Sequence, residues 1–239
     1  MTSTEVRDVV VKVEPAVGLV SAILMLPPDP RWLYILAHGA GAGMRHPFLE
    51  NISRALADRG VATLRYQFPY MENGTRYTDA PPVCEATVLC AVHAAGREAP
   101  SIPLVAGGKS FGGRMTAYTA SDKWLPGVRG LAFLGFPLHA PRKPSVTRAK
   151  HLDAVQLPML FIQGTRDAFA DPVLLRQVLD RLGKRATLHE VEGGDHSFAT
   201  LKRSGRTEAA VFAELADALD EWAVTVLHFP RRSPPPVTR

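Results

Sequence analysis

The feature that most restricts the fold is a regular alternation of short apolar runs with helical segments. The apolar runs are rich in β-branched residues and predict eight strands, at 6–14, 17–27, 32–39, 61–69, 103–110, 128–138, 157–167 and 186–193. Apolar residues at helical spacing, together with helix start and stop signals, predict helices at 46–60, 81–98, 111–122, 171–183 and 206–227. We therefore predict an α/β fold in which a mostly parallel sheet, opened by an antiparallel strand pair, is covered by helices on both faces.

The length of the chain fits one domain. Domains usually contain about 100–200 residues, and no internal repeat or linker divides these 239 residues. We assign residues 1–228 to a single domain. We expect the basic, proline-rich segment 229–239 to be a disordered tail.

Composition and charge exclude several classes of protein. Hydrophobic residues make up 46% of the chain, as in globular proteins, but no apolar run reaches the roughly 18 residues of a membrane span. The first ten residues contain acids where a signal peptide has a basic start, so we expect a cytoplasmic protein with no membrane partner. Two cysteines, Cys84 and Cys90, are too few for a disulfide framework and fit a reducing compartment. The net charge of +5 is scattered along the chain, so we expect no nucleic-acid partner.

A glycine-flanked serine, Ser110, lies between the fifth strand and the helix that follows it. Residues 108–112, GKSFG, fit the pattern G-x-S-x-G, which between a strand and a helix is typical of a nucleophile elbow. We expect a strained serine backbone that points the hydroxyl out of the sheet. The alternatives are a glycine-rich helix N-cap and a phosphate-binding turn, although a P-loop would need a glycine where Pro103 stands.

A serine nucleophile needs a general base, and the base needs an acid that orients it. His196 follows the eighth strand in a glycine-flanked loop, and Asp167 follows the seventh. The chain order Ser110, Asp167, His196 is the order that this architecture uses. Asp171 is the second choice for the acid, but it also suits an N-cap. Asp195 adjoins the histidine in sequence and is poorly aimed at its Nδ1 atom.

Acyl transfer also requires hydrogen-bond donors for a negatively charged oxygen. We predict the backbone N–H of Phe111 as one donor. The second is the N–H of Ala40, with Gly39 next, in the loop HGAGAG after the third strand. His38 opens this loop, and we expect it to brace the loop by hydrogen bonding. A dinucleotide site would need a glycine where Met44 stands, and these residues imply neither a metal nor an organic cofactor.

Together, these motifs resemble the α/β-hydrolase superfamily over about residues 6–228, with HGAGAG, GKSFGG, GTRD and GDHSF after successive strands. More narrowly, LAHGAGAGMRHPF, LRYQFPYME and GFPLHAPRKP resemble a small bacterial group related to dienelactone hydrolase. That group also resembles the hydrolase-like domain of a subunit of the non-specific-lethal histone acetyltransferase complex. Dienelactone hydrolase carries cysteine at the elbow, whereas this chain has Ser110, so the lactone substrate does not carry over.

The segment between the sixth and seventh strands is too short for the helical cap domain that many relatives insert there. We therefore expect an open or shallow site that suits a small or exposed ester. Polar residues on the surrounding loops are candidate substrate contacts, namely His38, Arg45, Tyr66, Lys109 and Arg142. The cationic candidates, Arg45, Lys109 and Arg142, could bind a carboxylate or phosphate on the substrate. The alternative is that they form a solvated basic surface with no binding role.

The sequence thus favours a serine hydrolase that cleaves an ester, thioester or related acyl bond of a small-molecule substrate. The alternative is a non-catalytic binding or scaffold protein that keeps the fold, as relatives in chromatin complexes suggest. The oligomeric state and the natural substrate stay open at this point.

Overall fold

Eight strands form one sheet in a computed structural model that describes residues 3–14 and 18–228. The strands are β1 (Glu5–Val13), β2 (Gly18–Leu26), β3 (Trp32–Ala37), β4 (Val61–Tyr66), β5 (Leu104–Lys109), β6 (Val128–Leu134), β7 (Met159–Gly164) and β8 (Ala186–Val191). The helices are α1 (Pro47–Ala57), α2 (Pro69–Glu72), α3 (Pro81–Glu98), α4 (Phe111–Asp122), α5 (Pro172–Leu182) and α6 (Glu208–Val226). Short 3₁₀ segments cover Thr147–Ala154, Gly183–Arg185 and Lys202–Ser204.

The strand order is β1-β2-β4-β3-β5-β6-β7-β8. β2 runs antiparallel to both of its neighbours, and all other adjacent strands are parallel. This arrangement confirms the predicted α/β-hydrolase fold with a mostly parallel, eight-stranded sheet. The chain leaves β3 toward β4 on one side and later returns to β5 on the other. The carboxyl ends of β3 and β5 therefore meet at a switch point, where open sheets of this kind bind ligands.

Helices cover both faces of the sheet, and each face has its own apolar core. Ile52 of α1 and Leu215 of α6 belong to the core on one face. Val88 of α3, Met115 of α4 and Leu175 of α5 belong to the core on the other. Because both faces are covered, β3, β4, β5 and β7 are buried along their whole length, which explains their nearly continuous apolar runs.

Several element ends are set by single residues. Asp171 caps α5 as predicted, since its carboxylate accepts the N–H groups of Val173 and Leu174, and Gly183 with φ 61° ends that helix. β6 ends at Leu134, four residues before the predicted end. Gly135 has φ 70°, which turns the chain out of the sheet.

No large cap covers the carboxyl edge of the sheet within the described ranges. The chain between β6 and β7 contains only loops and the 3₁₀ segment Thr147–Ala154. None of the described helices is both long and apolar enough to cross a membrane. The predicted tail at 229–239, residues 1–2 and the connection at 15–17 lie outside the described residues.

Candidate active site

Ser110 occupies a sharp turn between β5 and α4. Its backbone has φ 50° and ψ −115°, a conformation that a residue with a Cβ rarely adopts. Its N–H donates to the carbonyl of Leu134 on the neighbouring strand, with an N···O distance of 3.1 Å. The hydroxyl makes no capping hydrogen bond to α4. Ser110 occupies the N-cap position of α4, but its side chain does not cap the helix.

The turn is possible because the chain after β3 passes very close to the first residues of α4. A Cβ added to Gly112 would lie 2.6 Å from the Cβ of Ala37 and 2.6 Å from the carbonyl oxygen of His38. Real Cβ atoms do not approach other atoms so closely, so this position requires glycine. The close approach packs the end of β3 against Gly112, the second residue after the serine.

The side chains of Ser110, His196 and Asp167 form a continuous hydrogen-bonded chain. The His196 Nε2 lies 2.8 Å from the Ser110 Oγ, and its Nδ1 lies 2.7 Å from the Asp167 Oδ2. A carboxylate accepts the Nδ1–H proton, which leaves Nε2 free to accept the serine proton. The Asp167 side chain is fully buried, whereas that of His196 is 22% exposed, so substrate and water can reach the imidazole.

Two further groups hold the Asp167 carboxylate in place. The Gln163 Nε2 donates to Oδ2 at 2.5 Å, and the backbone N–H of Phe169 donates to Oδ1 at 2.8 Å. The Phe169 ring also packs on the His196 ring, with centroids 4.3 Å apart. Sequence reasoning missed both residues. The one available signal was a glutamine near the end of the otherwise apolar strand MLFIQG.

The two alternative acids are engaged elsewhere. Asp195 accepts the backbone N–H groups of Ser197 and Ala199 through its Oδ1 atom, which shapes the loop around the histidine. Asp171 caps α5. Asp167 is therefore the carboxylate that contacts the imidazole.

The predicted oxyanion donors lie at the junction of β3, β5 and α4. A Cβ added to Gly39 would be 3.8 Å from the Ser110 Cβ, so the loop after β3 adjoins the nucleophile elbow. Within the part of the chain that the structure describes, no group accepts the N–H of Phe111 or of Ala40. Phe111 is the first residue of α4, where helix N–H groups lack partners and favour negative charge.

His38 is fully buried and braces the loop after β3. Its Nδ1 lies 2.8 Å from the carbonyl of Gly39, and its Nε2 accepts the N–H of Phe68 at 3.1 Å. Burial lowers the pKa of His38 to about 4, so the ring is neutral at physiological pH. These contacts match the bracing role, and they leave neither ring nitrogen free for a substrate.

The structure places the three other predicted substrate contacts in different surroundings. Tyr66 is fully buried in the core at the end of β4, so its assignment as a substrate contact is wrong. Arg45 is mostly exposed and forms an ion pair with Asp8 of β1, at 3.0 Å, which directs it toward the antiparallel end of the sheet. Arg142 is exposed in the loop after β6, with φ 61°, and stays a prediction.

Aromatic rings line the region beside Phe111. The Phe111 ring meets Phe68 and Tyr70 edge to face, with centroid distances of 5.6 and 6.4 Å. The guanidinium of Arg114, one turn along α4, lies 5.7 Å from the centre of the Phe111 ring. No cluster of three or more metal-ligating side chains occurs among residues 3–14 and 18–228.

The fold and this arrangement define the class of the protein. The family model of the alpha/beta hydrolase domain matches residues 30–224, and the chain belongs to this family.

Solved structures of bacterial relatives share the fold at low sequence identity. A dienelactone hydrolase from Anabaena variabilis is 18% identical, with a TM-score of 0.74 over 96% of this chain and 100% of its own. A lidless α/β serine hydrolase from Xanthomonas campestris is 19% identical, with a TM-score of 0.71 over 98% of each chain. The esterase domain of a Rhodothermus marinus protein is 18% identical, with a TM-score of 0.63 over 92% of this chain and 98% of its own. The predicted membership in the α/β-hydrolase superfamily is confirmed, and the predicted resemblance to dienelactone hydrolase is confirmed in the fold.

Proposed function

We propose that the protein is a serine hydrolase that cleaves an ester, thioester or related acyl bond of a small molecule. The observation that carries the proposal is the His196 ring, which bridges the Ser110 hydroxyl at 2.8 Å and the Asp167 carboxylate at 2.7 Å. This arrangement is the one in which an imidazole serves as a general base toward serine. Membership in the alpha/beta hydrolase family supports the same chemistry.

In the first half of the reaction, the Ser110 Oγ attacks the carbonyl carbon while the His196 Nε2 takes the hydroxyl proton. The carbonyl oxygen becomes negatively charged, and the N–H groups of Phe111 and Ala40 stabilise it. Asp167 stabilises the imidazolium that forms. The intermediate then collapses, the bond to the leaving alcohol or thiol breaks, and His196 returns the proton to that group.

In the second half, water replaces the leaving group. His196 takes a proton from the water as the oxygen attacks the acyl-serine carbonyl, and the same two N–H groups stabilise the second intermediate. Collapse releases the carboxylic acid, and the imidazolium returns its proton to the Ser110 Oγ. Apart from the attacking water, the cycle uses only groups of this chain, so no step of it requires a cofactor.

The surroundings of the serine support a small or exposed acyl substrate. The described chain has no large cap over the site, and the ring of the candidate oxyanion donor Phe111 packs on the buried rings of Phe68 and Tyr70. The likeness to a serine hydrolase described as lacking a lid and to esterases favours the same class of substrate.

The proposal is tested by turnover of a short-chain p-nitrophenyl ester and by labelling with a fluorophosphonate probe. The wild type should show both, and Ser110→Ala should lose at least about 10³-fold in turnover and all labelling while staying folded. Ser121→Ala, at the far end of the same helix, is the matched control and should keep both. A folded wild type that neither turns over the ester nor reacts with the probe would support the scaffold alternative. Undiminished turnover by Ser110→Ala would exclude this nucleophile.

A further inference from the structure

Lys109, the residue before the serine, does not point toward the solvent. The residue is only 9% exposed, and its Nζ donates to the backbone carbonyl of His196 at 2.5 Å. This hydrogen bond joins the last residue of β5 to the loop after β8. It therefore connects the chain beside the nucleophile directly to the residue that carries the imidazole.

Two aromatic rings and a glycine surround the Lys109 ammonium. The rings of Phe48 and Phe198 lie 5.6 and 5.4 Å from the Nζ, on the α1 side and on the histidine loop. Gly135 lies on a third side of the ammonium. A Cβ added to this glycine would lie 3.0 Å from the Lys109 Nζ and 3.5 Å from the His196 Nδ1. Gly135, which also has φ 70°, thus allows the lysine and the histidine to lie side by side.

The ammonium has no carboxylate within ion-pair distance among the described residues. Asp167 and Asp195 face it from farther away, and burial lowers the pKa of Lys109 to about 8. A buried charge held by one carbonyl and two aromatic faces is unfavourable compared with an apolar side chain of similar size. Packing alone therefore does not account for a lysine at this position.

We propose that Lys109 is a positioning residue for the general base: its ammonium holds the main chain of His196 against the nucleophile elbow. The proposal rests on the proposed function, because the histidine needs this placement only if it serves the serine. Lys109 is therefore not a substrate contact, since its ammonium is occupied and shielded. Without the hydrogen bond, the loop after β8 keeps its Asp195 contacts but loses its direct link to β5.

The test compares Lys109→Met, which keeps an unbranched side chain without the ammonium, with Lys184→Met, an exposed lysine on the 3₁₀ segment after α5. With a p-nitrophenyl ester, Lys109→Met should lower kcat by about 10- to 100-fold, as expected for a misplaced base, and change KM by less than about threefold. Fluorophosphonate labelling should slow by a similar factor, and Lys184→Met should match the wild type. A folded Lys109→Met with unchanged kcat overturns the proposal.

A pH profile of the wild type provides a second test that needs no variant, and the variant's profile serves as its control. The titratable groups that face the Lys109 ammonium are Asp167, Asp195 and His196, and α1 places the Phe48 ring against it. A neutral amine is a weaker donor than an ammonium. The kcat/KM of the wild type should therefore fall as the pH rises above about 8, and Lys109→Met should lack this decline.

The outcomes separate this proposal from the one on which it rests. A wild type that shows neither turnover nor labelling refutes the hydrolase function itself. An active wild type whose kcat/KM stays level between pH 7 and about 10 refutes the positioning role alone. The same alkaline decline in wild type and Lys109→Met also refutes it, because another group would then be responsible.

Discussion

Replacing Lys109 with methionine should stabilise the folded protein at neutral pH while it lowers activity. The folded state holds this ammonium in a buried site, and burial lowers its pKa from 10.5 to about 8. Between these two values the unfolded chain binds more protons than the folded chain. The wild-type free energy of unfolding therefore rises with pH across that window, and the unfavourable contribution of the lysine is fully present below pH 8.

The magnitude follows from the size of the pKa change. One pKa unit corresponds to about 1.4 kcal/mol, so the buried ammonium destabilises the fold by about 3 kcal/mol at pH 7. At pH 9.5 most of the folded molecules carry a neutral amine, and the same contribution falls to about 1.4 kcal/mol. The methionine variant has no proton to lose at this position. The stability difference between the two proteins should therefore shrink by about 2 kcal/mol from pH 7 to pH 9.5.

Urea unfolding monitored by tryptophan fluorescence measures this difference. Wild type, Lys109→Met and Lys184→Met are each unfolded at pH 7.0 and at pH 9.5, and only differences between proteins at one pH are compared. Changes in packing shift the methionine variant equally at both pH values, so the pH-dependent part reports the ammonium. Lys184→Met should show no such dependence. A stability difference between Lys109→Met and wild type that is the same at both pH values would refute the reasoning.

Three other substitutions test the site and the fold. Asp167→Asn should lower kcat for a p-nitrophenyl ester by about 10⁴-fold at similar KM, because an amide does not stabilise the imidazolium; a loss below tenfold would contradict the assigned role. Gly112→Ala should destabilise the fold by about 1–3 kcal/mol in urea unfolding, since the new Cβ would lie 2.6 Å from that of Ala37. Unchanged stability would show that the two chain segments separate easily at this point. Tyr66→Phe should leave kcat and KM unchanged because the ring is buried in the core, and a raised KM would return Tyr66 to the substrate site.

The order and type of the main elements could be predicted because each is encoded locally. Buried strands appear as short apolar runs, and Gly183 and Asp171 mark the ends of α5 directly in the sequence. The end of β6 was less predictable. The apolar run continues to Leu138, but the chain leaves the sheet at Gly135. The positive φ of Gly135 marks this exit, and a backbone angle cannot be read from an apolar run.

The candidate site was predictable to the extent that it depends on topology. Ser110, Asp167 and His196 each follow a strand, and the carboxyl ends of parallel strands share one edge of the sheet. The direction of a side chain beyond that edge depends on packing between distant segments. Arg45 pairs with Asp8 because β1 and β2 extend the sheet on that side, which the spacing of residues along the chain does not reveal.

The nucleophile elbow combines three demanding features within four consecutive residues. Lys109 buries a charge, Ser110 adopts φ 50°, and Gly112 is required where two chain segments nearly touch. A protein selected only to present a surface has no need for any of the three, since a relaxed turn would hold β5 and α4 equally well. All three features act on the same pair of atoms, the Ser110 Oγ and the His196 Nε2, by exposing the first or holding the second. This convergence favours a working hydrolase over a scaffold. It also predicts that removal of the buried Lys109 charge raises stability and lowers turnover together.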